Sequence, residues 1–324
     1  MAELPRGILL FVAAYEERSF TAAALREAAT QSGVSQHVRK LEERFGARLF
    51  NREAGRVSPT PAGDLYYRRC LDVLRAHAAA AQVLRDCSVG LSGQVTVGLM
   101  PTVTRCALAP ALAQFTDSHP NVAVQVHEGY SFTLTEQVRH GELDFAVVPG
   151  FLGLPGLISR PFAITAEVLV AASSAKHAAP VRLAELGPLS IVLPGPANTR
   201  RQTVESYLCL NDVAVARVIT LDSMLATLDL VATSDWVAVL PGAMMARDRT
   251  RSRHAVRPLA DPPLSLELVT IESSRRPLSA AATEFRRVLL ATTEAASRVW
   301  DTGPETAWAS CLPQEDEGPP KSEC

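Results

Sequence analysis

The sequence predicts a multidomain chain: a small, mostly helical unit, one long helix, and a two-lobed α/β region followed by a polar tail. Three observations predict it. Apolar residues recur at helical spacing over the first sixty positions, an alanine- and leucine-rich stretch runs from Ala62 to Val89, and beyond Gly90 short β-branched runs alternate with helical ones. The 324 residues, 47% of them hydrophobic, suffice to bury cores in two or three such units.

The N-terminal unit reads as residues 1–62. Ile8 to Ala14 forms a first helix, and Phe20 to Glu42 reads as helix, turn, helix. Thr21 is placed to cap a helix carrying Ala24, Leu25 and Ala28 inward. Thr30 is placed to cap the next, whose Val34, Val38, Leu41 and Phe45 make one apolar stripe. Small alanines let the two helices cross closely, which completes a three-helix unit. Val57, Ser58, Pro59, Thr60, Pro61 and Gly63 then break the helical pattern.

Residues 63–90 read as a linker and pairing helix, because Tyr67, Leu71, Leu74, Ala78 and Ala81 recur at alternating four- and three-residue steps. Residues 91–300 read as α/β. Strands are expected at Gln94–Met100, Val122–Glu128, Leu143–Val148, Val168–Ala172, Ser190–Leu193, Val213–Thr220, Trp236–Leu240 and Leu264–Ile271. A last helix from Ser279 to Ala296 would return the chain to the first lobe. Lobe I then takes residues 91–163 and 265–300, and lobe II residues 164–264. Residues 301–324 hold six acidic residues against one lysine, with Pro304, Pro313, Pro319 and Pro320, and read as a tail without packed structure.

Bulk charge excludes little, since the formal net charge is −2 and any basic surface must be local. No apolar run is long enough to span a bilayer, and the N-terminus does not resemble a signal peptide, so a cytoplasmic protein without a membrane partner is expected. Six dispersed cysteines without a C-x-x-C pair oppose a structural zinc site and a disulfide framework. No H-E-x-x-H, G-x-S-x-G or phosphate-binding glycine loop occurs. No catalytic residue, metal site or cofactor is therefore expected.

The chemistry concentrates on the second helix of the pair. Ser32, Ser35, Gln36 and Arg39 share a face away from the apolar stripe, a serine, amide and guanidinium set that suits base edges. The helix start at Gln31 favours a nearby phosphate. From Arg39 to Arg56 six basic residues stand against three acidic ones. Arg52 and Arg56 fall in a hairpin after Phe50, where they would meet phosphates or a minor groove; an ordinary solvated hairpin carries such charges too.

At this point the chain resembles the LysR-type transcriptional regulators. The pattern is Phe11, Val12 and Ala13, then Ser19 to Ala24, Thr30 to Ser32, Val34, Ser35, Val38 to Glu43, Gly46 to Phe50, Arg52 and Thr60 to Gly63. The resemblance implies a winged helix-turn-helix joined by its linker helix to a periplasmic-binding-protein-like domain. The partners it implies are double-stranded operator DNA, further copies of the chain as a dimer or tetramer, and RNA polymerase if the protein activates. It places Gln31, Ser32, Ser35 and Gln36 on the recognition helix and Arg52 in the wing. The family commonly has arginine where Gln36 stands and leucine where Pro59 stands, so base preference and the end of the wing strand depart from the pattern.

The resemblance also implies a small-molecule effector between the lobes, where open α/β sheets bind ligands beyond their strand ends. Pro101, Thr102 and Val103 follow the first strand, and Asn198 and Thr199 open a helix with Arg200; both starts suit an organic anion. Tyr130, Gly150 and Met224 stand at further junctions, although such residues also occur at turns for conformational reasons. Thr102 and Thr199 are the leading candidates. Competing readings are an enzyme, a bare solute-binding protein, and a redox sensor, the last with only Cys209 in the second lobe.

Overall fold

The computed structural model describes residues 6–53, 56–86, 91–150, 154–173, 179–196, 198–250 and 253–300. The expected tail, 301–324, lies outside them. The N-terminal unit consists of α1 (Arg6–Glu17), α2 (Phe20–Arg26), α3 (Gln31–Phe45) and an antiparallel hairpin of β1 (Phe50–Glu53) and β2 (Arg56–Pro59). Phe11, Val34, Val38 and Phe50 fill its core, with the Phe11 and Phe50 rings 5.5 Å apart.

Capping follows local chemistry. The Thr30 hydroxyl accepts from the Gly33 amide at 3.1 Å, as expected, and Gly46 ends α3 in the left-handed conformation. α2 is capped by Ser19 rather than Thr21, its hydroxyl accepting from the Ala22 amide, because the helix starts two residues earlier than expected. Three apolar expectations are corrected: Leu25 is 81% exposed, Phe45 is 65% exposed, and Ala28, past the end of α2, is exposed too. None of them lies in the core, since the bundle buries Val34 and Val38 of α3 and Phe20, Ala23 and Ala24 of α2.

α4 (Pro61–Asp86) is the long helix. Its pairing seam is corrected. Tyr67, Leu71 and Leu74 are buried in the chain's own N-terminal core, Tyr67 stacking on Tyr15 at 3.8 Å. The side chains of Ala78 and Ala81 lie outside those described. The outward face instead carries Leu65 and Val73.

The α/β region is one nine-stranded sheet in the order β4-β3-β5-β11-β6-β9-β7-β8, with β10 pairing β6. β3 (Gly93–Leu99), β4 (Val122–Glu128) and β5 (Phe145–Pro149) form one parallel set. β7 (Leu189–Leu193), β8 (Val215–Thr220) and β9 (Val237–Pro241) form another. β6 (Leu157–Ala172) and β11 (Ser265–Ser273) run antiparallel between them, and β10 (His254–Pro258) flanks β6. The strand expected at Val168–Ala172 is thus the end of a sixteen-residue strand, and β10 is an addition.

Helices cover both sets. α5 (Pro101–Val103), a π turn (Thr104–Leu108) and α6 (Ala109–Ser118) are contiguous; α7 (Ser131–His140), α8 (Thr199–Leu210) and α9 (Met224–Thr233) follow, then a 3-10 segment (Gly242–Thr250). α10 (Ala280–Ser297) packs back on the first set, Phe285 meeting Phe115 at 5.0 Å.

Candidate reading face and interlobe cleft

On α3, Gln31, Ser32, Gln36 and Arg39 are exposed on one side, opposite the buried Val34 and Val38. Ser35 is half-buried at the edge of that face rather than on it. Lys40, Arg44 and Arg48 are exposed nearby. Glu42 pins the hairpin to this helix, its Oε1 accepting from the amides of Leu49 at 2.8 Å and Phe50 at 3.2 Å. The backbones of Arg52 and Arg56 lie on β1 and β2, and their side chains are outside the described residues.

The cleft forms where β3, β7 and β9 end. Met100, Thr102 and Tyr130 line it from one lobe, Asn198, Arg200 and Met224 from the other. Pro101 also faces it. Met100 is the N-cap residue of α5 and offers no side-chain cap; Pro101 has no N–H, and the amides of Val103 and Thr104 donate to the Met100 carbonyl at 3.0 and 3.1 Å. Thr102 is 2% exposed and lines the cleft.

Three expected cleft residues lie elsewhere. Val103 is fully buried in the lobe I core, one turn position past the mouth. Gly150 is turned to solvent, its amide donating to the Glu267 carbonyl at 2.9 Å. Thr199 points outward from the first turn of α8. The neighbouring Arg200 takes the inward position instead. Its Nη2 reaches Glu167 Oε2 at 2.8 Å and the Val239 carbonyl at 3.2 Å, while Nε reaches Glu167 Oε1 at 3.2 Å. Nη1 donates to no described group. Glu167 escaped the sequence reading because it stands 33 positions from Arg200.

The cleft is closed. The Tyr130 hydroxyl donates to the Asp222 carbonyl across the two lobes, and the Asp222 carboxylate accepts from the Gly195 amide at 2.7 Å. Burial, aided by the charges of Asp222 and Glu128, pushes the Tyr130 phenol above its usual range, so it stays a donor at neutral pH. The remaining void is about 30 Å³, room for little more than a water.

No group of three metal-ligating side chains occurs among the described residues, and no described helix is long and apolar enough to cross a membrane. Cys106 and Cys70 are buried, their thiols pushed up to about 12 and about 11 by desolvation, and Cys209 is exposed and unbridged. That suppresses thiolate chemistry at the two buried sites.

Residues 5–64 match the bacterial regulatory helix-turn-helix protein family described as lysR, and residues 88–294 match the LysR substrate binding domain. The chain belongs to the LysR family. A probable RuBisCO transcriptional regulator of Trieres chinensis is 33% identical to this LysR-family chain over 134 residues, 41% of the chain and 43% of that relative, so the match spans less than half of it. The nitrogen assimilation regulatory protein nac of Klebsiella aerogenes is 24% identical over 88% of the chain and 93% of its own length. Full-length CbnR in complex with its target DNA superposes with a TM-score of 0.51 at 19% identity, over 89% of this chain and 99% of that one. Homologues of this LysR-family protein are thus named transcriptional regulators.

Proposed function

We propose that the protein is a non-catalytic transcriptional regulator that reads operator DNA with α3 and the β1–β2 wing, and senses a small organic anion in the interlobe cleft. The units at work are residues 1–62 as reader, 63–90 as linker, and 91–300 as sensor. The exposed Ser32, Gln36 and Arg39 face supports the reading role, with Gln31 at the helix start and Arg52 and Arg56 on the wing strands. CbnR has been seen on its target DNA, which supports the same use of the fold here.

The observation that carries the sensing role is a pair of donors that line the cleft on buried residues: the Thr102 hydroxyl and Arg200 Nη1. Both suit a carboxylate, and the Glu167 partner holds the guanidinium in place without occupying that edge. Entry requires the Tyr130 bond to part, because the closed void cannot hold an organic acid.

A thermal-shift series with small mono- and dicarboxylates tests this. At least one should raise the melting temperature, and Thr102→Val should weaken that ligand about tenfold or more while retention on duplex DNA is unchanged. A full series without a shift, or an undiminished shift in Thr102→Val, would overturn the anion reading.

A further inference from the structure

The sensor and the reader touch through a buried ionic cluster that neither DNA reading nor effector binding uses. Glu16 and Glu17 end α1, and Arg26 and Glu27 lie at the end of α2. From the sensor come Arg139 on α7 and Arg275 on the turn after β11. Arg275 Nη2 reaches Glu16 Oε2 at 2.6 Å and its Nη1 reaches Glu27 Oε1 at 3.2 Å. Arg139 Nη2 reaches Glu17 Oε1 at 3.0 Å. Arg26 of the reader and the Tyr67 hydroxyl of α4 each meet the Glu16 carboxylate at 2.8 Å.

These six charged side chains are secluded, Glu16 at 1% exposure and none above 21%. Three carboxylates meet three guanidiniums, so the charges cancel across the contact. Backbone reinforces the contact: Arg75 of α4 donates to the Ser274 carbonyl at 2.8 Å, and Ser274 donates to the Gly156 carbonyl at 2.9 Å. Gly156 has φ +89°, and a Cβ there would lie 2.9 Å from the Glu16 carboxyl carbon, so only glycine lets the carboxylate approach.

α7 connects this cluster to the cleft. Tyr130, its N-cap residue, holds the lobes together through Asp222; Arg139, in its last turn, holds Glu17. Between them lie eight helical residues, and the two positions are about 14 Å apart along a stiff rod, whose Leu134 and Val138 are locked against β5 and β11. The same β11 leads into Arg275. A movement of Tyr130 as the lobes part has little slack before it reaches Arg139.

We propose that α7 is a relay between the two ends of lobe I: closure of the cleft holds the reader clasped to the sensor through Arg139 and Arg275, and opening of the cleft loosens that clasp. The coupling is reciprocal, so a clasped reader also favours the closed cleft. It deepens the sensing role proposed above and takes its purpose from it. The test uses no effector, so failure of the carboxylate reading and failure of the relay are separately visible.

The test uses spin-label distances in the full chain, with accessible cysteines replaced and labelled protein diluted into unlabelled. One pair, at Arg48 and Glu142, spans reader and lobe I; a second, at Phe132 and Leu225, flanks the cleft, and all four positions are exposed. Both pairs should give one narrow distance in the parent. Arg139→Ala with Arg275→Ala should lower the clasped fraction at least tenfold and broaden the first distance. Tyr130→Phe removes only the cross-lobe bond, and should lengthen the second distance and lower the clasped fraction about threefold. The clasp is wrong if the arginine variants leave the first distance narrow. The relay is wrong if Tyr130→Phe leaves the cleft shut, or opens it without moving the reader. Circular dichroism of each variant separates loss of the clasp from loss of fold, and Arg139→Lys, which keeps the charge, should restore part of the clasped fraction.

Discussion

A methyl group at position 63 would have its carbon 2.3 Å from the Leu49 carbonyl oxygen, a backbone atom that the Thr60 amide also binds at 3.1 Å. Gly63→Ala should therefore cost about 1 to 3 kcal/mol, read as a lower urea midpoint with an unchanged slope. His37 carries a different liability. Burial between α1 and α3 holds its imidazole below the usual range, Lys40 adds to this, and a hydrogen bond with Gly7 opposes it. The unfolded chain, with a value near 6.5, then binds more protons than the folded one below that pH. Stability from this group is complete above about pH 6.5 and is lost as pH falls through the lower folded value. His37→Gln should flatten the acid side of a urea-midpoint series against pH, and an unaltered slope would assign the effect elsewhere. Residue types at the site were legible where chemistry is local: Thr30 as a cap, the Ser32, Gln36 and Arg39 face, and Thr102 at a strand end. Thr199 and Arg200 show the limit, since the sequence offers both and only packing against Glu167 decides which turns inward.

α4 has two apolar faces, and the choice between them was not legible. Tyr67, Leu71 and Leu74 have the regular spacing of a pairing seam, yet they face α1, whose Tyr15 and Phe11 lie about fifty positions away. Leu65 and Val73 are left outward, so they are the candidates for contact with a second copy of the chain. Leu65→Glu with Val73→Glu should shift sedimentation toward monomer at micromolar concentration, whereas charge at Leu71 should unfold the reader instead. If the double variant sediments as the parent does, the association surface lies off this helix. Strands were read from β-branched runs, which located most of them to within about two residues. Only the last five residues of β6 were legible because Pro161 and Glu167 interrupt its pattern, and its long span follows from pairing with β11 and then β9 and β10. β10 was missed because Arg253, His254 and Arg257 dilute it. His254 is nonetheless buried, between Asp248 and the Leu228 carbonyl, each at 3.0 Å.

At the scale of the molecule, the order of parts was legible: helical reader, linker, then alternating strands and helices that make one sheet with two parallel sets. What joins the parts was not. Arg105 of the π turn reaches Asp248 at 2.7 Å, and Arg275 reaches Glu16 across 259 positions, pairings that no local pattern encodes. The clasp around Glu16 leaves the outer face of α3 uncovered while fixing α1 against lobe I. While the clasp holds, the reader keeps one orientation on the sensor, which bears on the duplex rather than the protein. Two mounted readers meet DNA at one rotational phase about its axis. On an operator selected from random duplexes, inserting about 5 base pairs between half-sites should turn one of them to the far side of the helix and abolish cooperative binding. Inserting about 10 should bring it back to the same side. Gel shifts across the insertion series would show a periodic loss and recovery for a fixed mount, and uniform binding for a free one.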